Sequence, residues 1–295
     1  MVNPFDSFSG QIEAGGMYVG FRDTGRMESL TLTGTAGDSE LYPEAALPTV
    51  NMGEESSDEY LPGTILIGAR TGPDSPWVLS RNVGGEVLED GSGGRLVVRY
   101  DFGILEEFEG AGTFAPLEEM PVPGIRWTVL LRNRSRRSLE IGELGFPFAL
   151  NNVMVPSART DDAAAEVLAS RFHLHPFAGG AASFLAAFRA IGSPPGLLIV
   201  PRGENGWEFT CSVPASLRTP MAWEGIPVMY VHSRATIERE GWPEWFNGHT
   251  SLILEPGEER TYTTDFVMLS EPQPTFDVAA TMALLGRPGV RFRST

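Results

Sequence analysis

The sequence contains no lysine. All 22 of its basic residues are arginine, and 38 aspartates and glutamates outweigh them to a formal net charge of −16. Binding to a polyanion depends on cationic side chains that displace condensed counterions, so this balance argues against DNA or RNA as a partner. The acid excess is lopsided, with 23 of the 38 acidic residues in positions 1–150. Cysteine is nearly absent as well. A lone Cys211 excludes a disulfide framework within the chain, and its apolar surroundings make it an inert thiol rather than a nucleophile. A core of this size needs no covalent staple, which leaves both a cytoplasmic address and export after loss of a leader open. The opening stretch MVNPFDSFSG lacks the basic and apolar regions of a signal peptide. No window approaches the roughly 18 apolar residues of a membrane helix, so no membrane span is expected. The glycine-rich nucleotide motifs, HExxH and GxSxG are all missing, and no cofactor is predicted.

What is present is turn chemistry and alternation. Thirty-four glycines and 23 prolines are scattered through 295 residues that are 42% hydrophobic, the composition of a globular protein with many short strands. In positions 15–34, Tyr18 and Phe21 precede the turn residues Asp23, Thr24 and Gly25, and Leu30 and Leu32 then alternate with threonines. A period of two marks half-buried strands, and the intervening turn predicts a hairpin. Similar patterning predicts strands at 64–70, 77–81, 95–102, 125–131, 139–144 and 197–200, with 125–131 and 139–144 as antiparallel neighbours. The segment IPVMYVHSRATI also reads as strand. Leu252 and Leu254, the turn 255–258, and the alternating Tyr262, Thr264 and Phe266 predict a second hairpin. Short helices are expected at 161–169 and 278–285, while 183–191 fits either helix or strand. Positions 35–62 are acidic, broken by Pro43 and Pro48, and read as a long surface loop. Strands throughout, with helices only as insertions, predict an all-β fold: a large two-sheet antiparallel β-sandwich.

The chemistry concentrates late in the chain. Trp223, Trp242 and Trp245 stand near Glu224, Glu244, Asn247 and His249. Aromatic faces stack on the C–H faces of a sugar ring while carboxylates and amides take its hydroxyls, so this cluster is the first candidate for ligand binding. Capping of the core by the same tryptophans is the plainer alternative. His173 and His175 share one face of a predicted strand and, with His232, form a secondary set. Two imidazoles begin a metal site, but further ligands are not evident and no metal is predicted. The carboxylate doublets, such as Glu106 and Glu107, point to opposite faces of a strand and make poor acid/base pairs.

The segment from Trp127 to Ser135, followed by Ile141–Phe148, resembles the large N-terminal β-supersandwich domain of bacterial glycoside-hydrolase-like proteins that also carry an (α/α)6 barrel. The stretch from Leu254 to Phe266 is similar to the last strands of such domains, and 278–285 to the start of a linker toward a barrel. The resemblance implies a supersandwich over 1–270 and a helix with a linker-like tail over 271–295. It also implies a helical-barrel catalytic domain or partner subunit, and an oligosaccharide or polysaccharide as ligand. Because the acidic catalytic residues of those families reside mainly in the barrel, it implies a noncatalytic structural or substrate-shaping module here. Two alternatives stand beside it. One is a stand-alone mutarotase-like sugar enzyme using a histidine and a carboxylate, with His173, His175, His232 and Glu244 as candidates. The other is a protein-assembly module.

Overall fold

A computed structural model describes residues 9–14, 17–32, 60–92, 94–118, 123–148, 172–189, 196–203, 206–212, 227–241 and 248–269. Within them the chain is antiparallel β-structure with one helix, α1 (Arg234–Glu240). Eight strands make the larger sheet, in the order β11 (Phe172–Phe177), β12 (Phe184–Arg189), β13 (Gly196–Arg202), β17 (Glu259–Leu269), β9 (Gly124–Asn133), β8 (Phe108–Pro116), β7 (Leu96–Tyr100) and β6 (Gly85–Asp90). The second sheet runs β14 (Phe209–Ser212), β15 (Pro227–His232), β10 (Leu139–Pro147), β4 (Ile65–Arg70) and β5 (Val78–Val83), with β16 (Leu252–Leu254) also on β10. A three-stranded sheet, β1 (Gly10–Ala14), β2 (Met17–Phe21) and β3 (Met27–Leu32), packs over β7 and β8, where the Phe21 and Phe114 rings lie 4.7 Å apart. The expected two-sheet sandwich is present.

The alternation of β9 builds the core. Ile125, Trp127, Val129 and Leu131 are buried, while Arg126, Thr128, Leu130 and Arg132 face outward. Trp127 stacks on Phe114 within its own sheet at 5.5 Å and meets Phe146 of the opposite sheet edge-on at 5.1 Å. That single indole therefore bridges the layers, and its truncation to alanine costs about 3–5 kcal/mol. Its Nε1–H donates to the Tyr100 hydroxyl at 3.1 Å, which donates to the Gly63 carbonyl at 3.2 Å, so no polar atom of the pair is stranded.

The hairpin predicted in 15–34 is β2 and β3, paired antiparallel around the Gly25 turn, where φ is +73°. Three other expectations are corrected. β9 and β10 are not neighbours: β9 pairs with β8 and β17, and β10 with β4, β15 and β16. The second hairpin is also a crossing, because β16 pairs with β10 and β17 with β9 and β13. Alternation is equally satisfied when two strands face one another across a core, so periodicity alone does not separate a hairpin from a corner. The third correction is the chain after His232, which turns into α1 rather than continuing as strand. Ala235 and Thr236 are buried, and Gly241 ends the helix at φ +63° in the left-handed region. At 183–191 the strand alternative holds, as β12.

The helix fills a gap in the sheet. β16 pairs with Leu139–Ile141 of β10 and β15 with Leu144–Pro147, and α1 occupies the chain between them. At the gap lies Glu143, fully buried, whose Oε2 accepts from Thr236 Oγ1 at 2.8 Å and from Arg239 Nη1 at 3.1 Å. The predicted helices at 161–169 and 278–285, the tail 271–295 and all of the acidic loop before Tyr60 lie outside the described residues.

Candidate functional site

Where β15 runs into α1, five polar side chains gather at one end of the smaller sheet. Glu208 precedes β14, His232 closes β15, Ser233 precedes α1, and His249 and Thr250 precede β16. Glu208 is 7% exposed although Trp207 and Phe209 flank it in an apolar stretch. Its Oε1 accepts from the Ser233 backbone N–H at 2.8 Å, the Ser233 hydroxyl at 2.6 Å and the Thr250 backbone N–H at 2.8 Å. Burying a carboxylate is costly unless such donors compensate, and here the segments on either side of α1 supply them.

Ser233 Oγ also lies 2.8 Å from Nδ1 of His249. A hydroxyl has one proton, and Ser233 gives it to Glu208, so the contact requires His249 to donate from Nδ1. The Nε2 atom then carries the lone pair. His249 is partly exposed, with Phe209 packed edge-on at 5.5 Å between ring centres. The arrangement is a histidine whose tautomer a buried carboxylate sets through a serine hydroxyl, on a ring that is partly exposed.

His232 is a different kind of histidine. It is 5% exposed, with Nδ1 2.8 Å from Thr250 Oγ1 and Nε2 3.1 Å from the Tyr262 hydroxyl on the opposite sheet. Burial pushes its pKa down to about 4, aided by the charge of Arg260, so it is neutral at pH 7. Burial likewise raises the Tyr262 phenol above its ordinary range. Both ring nitrogens of His232 are occupied inside the core, and its geometry is that of a strut between sheets.

Of the residues expected from the sequence, the structure brings His249 and His232 to the same end of the sandwich, one at its surface and one inside. Trp223, Glu224, Trp242, Glu244, Trp245 and Asn247 lie outside the described residues. His173 and His175 fall on β11, the edge strand of the larger sheet, opposite Phe188 and Ala186 of β12. Cys211 lies on β14 opposite Val228. Among the described residues no three histidines, cysteines or carboxylates converge as a metal site requires. Glu208, Ser233, Thr250 and Tyr262 were not anticipated as site residues. A lone carboxylate between two aromatic residues in an apolar segment was the available signal for Glu208.

Residues 124–288 match the model of a family described as "Family of unknown function (DUF5695)". No curated protein matches the sequence. The fold is similar to that of a polysaccharide lyase, at 15% identity and a TM-score of 0.57, over 88% of this chain and 33% of the lyase. The chain thus spans about a third of that protein's length. It also aligns with a galactose mutarotase-like protein from Clostridium acetobutylicum, at 10% identity and a TM-score of 0.46 over 88% of this chain and 94% of the other. A GH36 alpha-galactosidase from Geobacillus stearothermophilus aligns at 10% identity and a TM-score of 0.44, over 89% of this chain and 40% of that one. No described helix is long and apolar enough to cross a membrane.

Proposed function

Because the chain belongs to a family whose function is unknown, its own geometry has to supply the reading, and we propose that it opens and recloses a sugar ring, with His249 moving the proton. The observation that carries this is the His249–Ser233–Glu208 chain of hydrogen bonds, at 2.8 and 2.6 Å, which leaves Nε2 of a partly exposed histidine as a base. Interconversion of sugar anomers needs such a base together with an acid. A base takes the proton of the anomeric hydroxyl, the bond from the anomeric carbon to the ring oxygen breaks, and an acid protonates the ring oxygen. Rotation of the freed carbonyl and the reverse steps give the other anomer. Once Nε2 is protonated, the negative Glu208 offsets the new charge through Ser233. Glu244, five residues before His249, is the candidate for the second proton-transfer group. Trp242, Trp245 and Asn247 remain the candidates for holding the ring.

Equilibration of freshly dissolved α-galactose, followed by polarimetry, tests the proposal. The protein should speed the approach to the anomeric equilibrium, and His249→Gln should lower that acceleration by about 100-fold or more, the usual weight of one acid/base group. Equal rates with and without protein would remove the activity.

A second reading is favoured by one observation, that the same fold forms about a third of a polysaccharide lyase. On that reading the sandwich is a noncatalytic, carbohydrate-associated module of the supersandwich type, spanning 1–270, with 271–295 leading toward a helical-barrel domain or partner subunit. It would bind an oligosaccharide or polysaccharide through Trp223, Glu224 and the 242–249 stretch without turning it over. Glycan binding with no anomer exchange, abolished by Trp242→Ala or Trp245→Ala without loss of fold, would select this reading over the first.

A further inference from the structure

Along the side where β5 edges the smaller sheet and β6 edges the larger one, the two layers do not close on each other. Val78 and Ser80 of β5 stand opposite Ala69 and Ile67 of β4, both buried in the core. Cross-strand partners share a face, so Val78 and Ser80 take core-facing positions. Val78 is nevertheless 37% exposed, and Ser80 is only half-buried. A cleft of about 740 Å³ opens there between the sheets. Ser80 and Val83 line it from the smaller sheet and Tyr100 from the larger, while Thr24, Asp101 and Gly103 complete the wall from two turns. A Cβ on Gly103 would stand 3.7 Å from Ser80 Oγ, so the turn after β7 comes close to β5 across the cleft.

Hydrogen bonds from three backbone N–H groups fix this wall. Gly85 donates to the Thr24 carbonyl at 3.0 Å, Asp101 to the Gly84 carbonyl at 3.2 Å, and Gly103 to Asp101 Oδ1 at 2.9 Å. The lining then selects a ligand class. Ser80 and Thr24 carry hydroxyls, which both give and take a hydrogen bond, and the buried Thr24 hydroxyl has no partner. Asp101 is exposed, and its Oδ2 is an acceptor that asks the ligand for a donor. Glu86 and Arg99, also on the lining, are paired with each other. A divalent cation would need several converging carboxylates, and among the described residues no three acids or histidines come together. An acceptor-only anion would meet the Asp101 carboxylate. Groups that donate and accept alike, the hydroxyls of a neutral molecule, satisfy the whole set.

We propose that this cleft binds a neutral polyhydroxylated molecule, a sugar ring or an open-chain sugar alcohol, with Asp101 Oδ2 and the Ser80 hydroxyl as its principal contacts. The volume is that of a site for a small organic ligand. The cleft shares no residue with the His249 site, and the ligand class follows from its own lining. The inference therefore stands without ring opening by His249.

The amide resonances of Gly84, Gly85 and Gly103 in the 15N-labelled full chain provide the test. The protein is titrated in parallel with galactose, glucose, mannose and galactitol, and with sodium acetate as an acceptor-only control, at constant ionic strength. Saturable shifts of these amides with at least one of the four neutral compounds, and none with acetate, support the site. Shifts with the sugars alone assign it to rings, and shifts that galactitol matches assign it to polyols at large. No shift with any of the four, or an equal shift with acetate, overturns the proposal. Asp101→Asn keeps an oxygen for the Gly103 N–H but replaces Oδ2 by a donor. It should weaken binding about tenfold, the weight of one charge-assisted hydrogen bond. Ser80→Ala, at a partly exposed strand edge, should weaken it about threefold to tenfold. Unaltered affinity in either variant overturns the assignment of contacts. In His249→Gln the cleft shifts should persist while anomer exchange falls, so each reading fails separately. Loss of the shifts in that variant would assign them to the His249 site and overturn the proposal.

Discussion

The side-chain amide of Asn133 donates to the backbone carbonyl of Leu254 at 2.8 Å, tying together two points at which the chain crosses between the sheets. Asn133 ends β9 just before the chain leaves the larger sheet, and Leu254 ends β16 just before the chain returns to it. The second amide proton goes to the Arg137 carbonyl at 2.7 Å, and Oδ1 accepts from both the N–H and the hydroxyl of Ser135. The Asn133 backbone adds two more bonds to the other corner, to Glu258 and Gly257. One fully buried side chain thus closes both corners.

Asn133→Ala should therefore destabilise the fold by about 2–4 kcal/mol, since several buried groups lose their partners at once. Ser135→Ala, at the more exposed rim of the same cluster, should cost about 1 kcal/mol. Denaturant unfolding with an unchanged m-value checks both.

Thr236→Val should cost about 1–3 kcal/mol, because it withdraws the hydroxyl from the buried Glu143 carboxylate while keeping the side-chain shape. Hydrogen exchange of the α1 amides should rise more than that of β10, as the helix loses its attachment to the gap it fills.

His232 gives the fold an acid-sensitive component. Its folded pKa of about 4 lies below the ordinary value of 6.5, so between those values the unfolded chain binds the proton and the folded one does not. The contribution is complete above pH 6.5, is lost as pH falls from 6.5 toward 4, and is flat below. A shift of this size is worth about 3 kcal/mol. Unfolding free energies of the wild type and His232→Gln, compared from pH 7 to pH 4, should converge by roughly that amount as the pH drops. Parallel curves would show that the imidazole is not held neutral by burial.

The sequence made the individual strands legible because alternating burial is local: Trp127, Val129 and Leu131 announce the inner face of β9 without reference to any partner. Pairing was not legible, because β9 followed by β10 and β16 followed by β17 look like hairpins until Asn133 is seen closing them as corners. β8 escaped notice for another reason. Its inner positions include Gly110 and Gly112, where a Cβ would stand 2.6 Å from the Phe102 ring and 2.4 Å from the Tyr100 hydroxyl. The strand yields its core space to neighbouring rings and so carries little apolar signal of its own. At the site, His249 was visible as a polar residue in an aromatic-rich segment. Its partners were not, since Glu208, Ser233 and Thr250 come from separate stretches that only the sheet end brings together.

The proposed proton transfer depends on the state of one imidazole, and long-range 1H–15N correlation of the histidine side chains reads that state directly. His249 should be protonated on Nδ1 with Nε2 bare, and Ser233→Ala, which removes the link to Glu208, should shift the population toward the Nε2-protonated tautomer. A wild-type protein with the proton on Nε2 of His249, or a tautomer unaffected by Ser233→Ala, would contradict it.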